Sequence, residues 1–119
     1  AIYANGNTGQ ALNSGGFVKA MLLVNPNGSI NLCYNSQLTG AGATTPLCGF
    51  SVNHSSTGIY DITFPFQVNS RFFLATVADT TNGPGDVAVV RPFDSQTVRV
   101  VTFFATLGFR DDPFYLIVF

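Results

Sequence analysis

Short apolar runs punctuated by turn residues set the pattern of this chain. "FVKAMLLV" (17–24) gives way to "NPNG" (25–28), where proline presets φ and Asn-Gly accepts left-handed backbone, and "SINLCYN" (29–35) follows. This order predicts a β-hairpin. Further on, "CGFSVN" (48–53) and "IYDITF" (59–64) flank a predicted turn, "HSSTG" (54–58). In "IYDITF", Tyr60, Ile62 and Phe64 alternate with Asp61 and Thr63, the period of a strand with two different faces. Pro65 then interrupts, as proline does at a sheet edge or bulge. "RFFLATVA" (71–78), "VAVVR" (87–91), "TVRVVTFFAT" (97–106) and "FYLIVF" (114–119) read as further strands, and no segment sustains a helical period. The expectation is an all-β, antiparallel, jelly-roll-like β-sandwich of seven to eight strands. Residues 17–119 would form one domain, preceded by an N-terminal segment, 1–16.

Several runs are apolar on both faces. An antiparallel sheet with one wet face alternates apolar and polar positions, yet "AMLLV" (20–24), "VVTFF" (100–104) and "YLIVF" (115–119) do not alternate. Phe72 and Phe73 must also point opposite ways. A domain of 119 residues buries only about 60–70 % of its chain surface on folding, and large exposed apolar patches mark interfaces. Self-association is therefore expected, with Tyr60, Phe64, Phe66, Phe72, Phe73, Phe103, Phe104 and Phe119 as the candidate assembly residues. The doubly apolar "YLIVF" is expected at a central position in its sheet.

Composition sharpens this picture. Charged residues make up 9 % of the chain, against about 25 % in ordinary domains, while phenylalanine occurs twelve times and tryptophan not at all. A formal charge of −1 gives no basic field for a phosphate backbone, so nucleic acid is not an expected partner. The apolar runs fall far short of the ~20 residues of a membrane helix, so the chain is not expected to span a bilayer that way.

Cys33 and Cys48 bracket a polar, Gly- and Thr-rich loop. A disulfide there would stabilise by roughly 3 kcal/mol in the chain-entropy model and would imply an oxidising, extracellular compartment. The alternative is two free thiols on neighbouring strands. Two cysteines and one histidine do not make a four-ligand metal set, so no metal or other cofactor is expected.

Candidate chemistry is sparse. His54, with Ser51, Ser55 or Ser56 and Asp61, supplies the residue types of a hydrolase triad, but no G-x-S-x-G pattern surrounds it, and no catalytic residue is assigned. Asp79, Asn82 and Asp86 could offer oxygen ligands to Ca²⁺, in a spacing that matches no EF-hand. The adjacent Asp111 and Asp112 are expected to satisfy turn amides. Asn27 and Asn53 open sequons that matter only in a eukaryotic secretory pathway. Tyr34, Tyr60 and Phe93 are candidate sugar platforms, although core or interface positions suit Tyr60 and Phe93 better. Arg71 and Arg99 are expected to pair with aspartates such as Asp61 or Asp94 across an interface.

Taken together, "GGFVKAMLLVNPNGSINLCYN", "CGFSV", "GIYDITFPFQVNSRFF" and "DDPFYLIVF" resemble the globular C-terminal modules of bacterial and phage fibre-like surface proteins. Those modules are similar, distantly, to the trimeric jelly rolls of the C1q and tumour-necrosis-factor type. The resemblance implies an extracellular sandwich that packs as a homotrimer and presents loops to a cell-surface glycan or receptor. The functional expectation is thus a non-enzymatic, surface-displayed adhesion module. A filament subunit whose segment 1–14 completes a neighbour's sheet is the alternative.

Overall fold

The first hairpin closes as its turn residues dictate. The Asn25 amide donates to the Ser29 carbonyl and the Gly28 amide to the Asn25 carbonyl, at 2.8 and 2.9 Å, with Gly28 at φ +91°. Its strands are Ala20–Val24 (β1) and Ile30–Asn35 (β2). The computed structural model describes residues 18–78, 85–106 and 108–119. The expected N-terminal segment, and Asp79 and Asn82 of the candidate Ca²⁺ loop, lie outside them.

The remaining strands are Ser51–Ser56 (β3), Ile59–Thr63 (β4), Phe73–Val77 (β5), Asp86–Pro92 (β6), Thr97–Phe104 (β7), Gly108–Phe109 (β8) and Phe114–Val118 (β9). They build two antiparallel sheets, ordered β2-β1-β9-β5 and β3-β4-β7-β6, with β8 added alongside β7. The predicted sandwich is therefore the fold. Nine strands stand among the described residues, and the one unforeseen is β8, two residues long. The doubly apolar closing strand is central, as expected, with β1 and β5 on either side of it.

The two sheets share one core. Ala20, Leu22 and Val24 of β1 lie opposite Val118, Leu116 and Phe114 of β9, and all six are buried against Tyr60, Ile62, Val98 and Val100 of the other sheet. Where the chain leaves β4, Phe64 and Phe66 turn inward with Phe50, at ring-centroid distances of 5.0 to 6.5 Å. Pro65 therefore marks an exit from a strand that is central to its sheet, not an edge. Strand β3 runs on through Ser56, so the predicted five-residue turn shrinks to Thr57 and Gly58.

Cys33 and Cys48 are bonded, with Cα atoms 6.2 Å apart. The bridge joins edge strand β2 to the chain just before β3, across a loop containing a short 3₁₀ turn, Gly40–Ala43. Buried Asn35 secures the same loop by donating to the Cys48 carbonyl at 2.8 Å and accepting from the Gln37 amide at 2.9 Å.

Candidate functional site

Strand alternation sends one set of side chains into the core and the other outward, and on the β2-β1-β9-β5 sheet the outward set is also apolar. Cross-strand register forms two rows. Tyr34, Met21, Ile117 and Leu74 make the first, and Leu32, Leu23, Tyr115 and Thr76 the second. Thr76 is the one aliphatic polar member. At the end of this face the Phe119 amide donates to the Phe72 carbonyl at 2.9 Å, and period-two alternation sets Phe72 on the side of Leu74, and Phe119 on that of Ile117. Met21, Leu32, Phe72, Leu74, Tyr115 and Phe119 are 41, 60, 82, 54, 45 and 42 % exposed. A groove of about 490 Å³ runs over β2, β1 and β9, lined by Met21, Leu23, Leu32, Tyr34, Tyr115 and Ile117 among others.

The candidate assembly residues divide on this geometry. Tyr60, Phe64 and Phe66 are interior, which corrects their expected place at an interface: the inward faces of β4 and its exit segment need large side chains to fill the sandwich. Phe73 is half-buried against the same core. Phe103 and Phe104 are half-buried on the second sheet, with the Arg110 guanidinium 5.0 Å from the Phe104 ring centroid. Phe72 and Phe119 alone among the eight lie on the apolar outer face. Met21, Leu32, Leu74 and Tyr115, which complete that face, are not among the residues expected from sequence. Their signal was the unbroken apolarity of "AMLLV" and "YLIVF".

The outer face of the second sheet differs. Asn53, Asp61, Arg99 and Arg91 form a polar row across β3, β4, β7 and β6. Arg99 forks onto Asp61 at 2.8 and 2.9 Å and covers the Phe93 ring at 4.4 Å. The Asp61 hydrogen bonds hold the Arg99 guanidinium protonated to still higher pH than usual. This pair lies within one chain, which corrects the expected inter-subunit pairing. Asp94 caps its own turn by accepting from the Gln96 amide at 2.9 Å, and that bond lowers its pKa. Arg71 donates to the Gln67 carbonyl at 3.0 Å.

Titratable groups gather at one end of the sandwich. His54 lies on the inward side of β3, stacked on Tyr60 with ring centroids 4.5 Å apart, and its Nε2 is 2.8 Å from Asp111 Oδ1. The Gly58 amide donates to the same oxygen at 2.6 Å. Burial pushes the Asp111 carboxyl up, but the Gly58 amide and His54 outweigh it and hold the group below its ordinary range. Burial, reinforced by the nearby Asp111 charge, raises the Tyr60 phenol, which donates to the Pro26 carbonyl at 2.6 Å. Asp61 occupies the opposite face of the sheet from His54, so the triad considered from sequence is not brought together. Instead the cluster ties the β3–β4 turn to the segment before β9, and Asp111 satisfies a turn amide, as expected. Asp86 is ion-paired with Arg110. No group of three or more metal-ligating side chains occurs among the described residues.

No protein family's sequence profile matches this chain, nor does any curated protein or solved structure. Within the described residues no helix is long and apolar enough to cross a membrane, and the disulfide is consistent with an oxidising environment.

Proposed function

We propose that this chain is a non-enzymatic, secreted or surface-displayed β-sandwich that self-assembles as a homotrimer and serves as an adhesion or receptor-binding module. One observation carries the reading: the outer face of the β2-β1-β9-β5 sheet is apolar across all four strands. Side chains of this size present about 150–250 Å² each when fully exposed, so six at roughly half exposure leave on the order of 600 Å² of apolar surface. That lies at the upper limit of what a monomer exposes, about 300–600 Å², and approaches the ~800 Å² per partner of a standard interface. A contact between two such patches buries about 1,200 Å² in all, the lower end of specific interfaces. That is small for a stable contact, so the whole face is needed.

The resemblance to fibre-tip modules supports three copies over two. With the apolar face turned inward, the polar row of the second sheet faces outward, toward a cell-surface glycan or receptor. A second reading, a filament built by strand addition, draws on the outer edge of β2, which pairs only with β1 among the described residues. Light scattering of the chain with and without residues 1–14 separates the two. A discrete trimer in both samples supports the tip module. Large polymers that collapse on truncation support the filament, and a monomer in both rejects self-assembly.

A further inference from the structure

The apolar face is not flat, and its relief suggests how copies engage. Over β2, β1 and β9 it is concave, forming the groove of about 490 Å³. At the β5 corner it projects. Phe72 is 82 % exposed there, and its carbonyl accepts from the Phe119 amide at 2.9 Å, so two phenyl side chains stand together on one corner.

We infer that Phe72 of one copy fills the groove of the next copy, each copy giving one ring and receiving one. The inference rests on the self-assembly proposed above and adds the contact that makes it specific. Three points support a second copy as the occupant. The groove and the projecting corner belong to one continuous apolar face, so both are covered in the same event. The groove's volume is that of a small-molecule pocket, larger than one phenyl ring, which leaves room for Phe119 beside Phe72. The ~600 Å² of exposed apolar surface approaches the requirement of a stable interface only if corner and groove are buried together. A large aromatic seated in a desolvated pocket near the centre of a contact is the usual form of a binding hot spot.

The test uses full-length chains carrying Phe72→Cys or Met21→Cys, mixed and treated with a short bismaleimide, which leaves the native disulfide untouched. Both positions are exposed in the protomer, so neither substitution threatens folding; an unchanged thermal midpoint checks this. The expected result is covalent pairing in the mixture, little pairing in either variant alone, and a covalent trimer from the double variant. Phe72→Ala should weaken assembly at least tenfold. Strong self-pairing of Phe72→Cys would overturn the inference, as would a trimer of unchanged mass that does not crosslink. Covalent dimers alone from the double variant would uphold the Phe72 seat and overturn the trimer. A wild-type chain that remains monomeric at high concentration would overturn the proposed function and this contact together, an outcome distinct from the trimer that fails to crosslink.

Discussion

The two sheets cover the same core with their inner faces and differ on the outside. On β3-β4-β7-β6 the central outward row is Asn53, Asp61, Arg99 and Arg91, with the Thr63 and Thr97 hydroxyls 3.2 Å apart beside it. Beyond that row this face is apolar as well: Ile59, Val101 and Val89 share the next register row and Val87, Phe103 and Phe109 the one after, and Val87, Val89, Phe93 and Phe109 are exposed. On β2-β1-β9-β5 the equivalent rows hold Tyr34, Met21, Ile117 and Leu74, then Leu32, Leu23 and Tyr115. A sheet needs one apolar face to fold. The second apolar face is surplus to folding, and on this sheet it is continuous across all four strands, whereas on the partner sheet the charged row separates Phe93 from Val89, Val87 and Phe109.

Charging one face at a time should separate the two sheets most strongly. Leu32→Lys with Leu74→Lys should weaken assembly by at least a thousandfold, about 4 kcal/mol, while leaving a folded monomer. Val89→Lys on the other sheet should leave the oligomer mass unchanged. Equal loss from both would erase the distinction between the faces.

Removing the disulfide, as Cys33→Ser with Cys48→Ser, should cost roughly 3 kcal/mol of unfolding free energy, measured by denaturant titration. Because it tethers edge strand β2, which carries Leu32 and Tyr34, the variant should also assemble more weakly at temperatures below its melting point. Gly58→Ala should cost about 2 kcal/mol. At φ +72° a Cβ there would press on the Thr102 carbonyl oxygen and lie 3.1 Å from the Arg110 amide nitrogen. This cost falls on the β3–β4 turn, away from the apolar face, so the oligomer mass of the folded fraction should not change.

Strand positions were legible in the sequence because turn residues and period two act locally. The eight expected strands fall within a few residues of β1 to β7 and β9, whereas two-residue β8 offers no period to detect. Which of two apolar faces is the core was not legible, since it depends on how distant strands register. Tyr60, Phe64 and Phe66 looked as available for an interface as Phe72 did. Only the placement of β9 between β1 and β5 turns "YLIVF" into one buried and one outward row. His54 shows the same limit: its bond to Asp111 spans 57 positions, and nothing in "NHSS" announces it.

Asp111 provides a smaller test, again remote from the apolar face. Its carboxyl is held below the usual range in the fold, so the stability it contributes is complete above the unfolded value near ~3.9. That contribution is lost as pH falls through the lower folded value. Asp111→Asn should therefore be less stable than wild type at neutral pH, by roughly 1 kcal/mol given its partial exposure, and the gap should close toward pH 2. A constant gap across that range would contradict the assignment. Smallest of all, Arg99→Ala should lower the thermal midpoint only slightly, because a half-buried ion pair at the surface contributes little. A large drop would mean that the polar row, too, is covered.

In the proposed assembly, copies of this chain cover one sheet's outer face and leave the other open. Carbene footprinting across a concentration series, read residue by residue by mass spectrometry, tests it most directly. Met21, Leu32, Leu74 and Tyr115 should label strongly in dilute samples and lose that labelling as concentration rises, while Val89 and Phe109 label equally throughout. Labelling of the first set that stays as high as that of Val89 and Phe109 at every concentration would contradict the account.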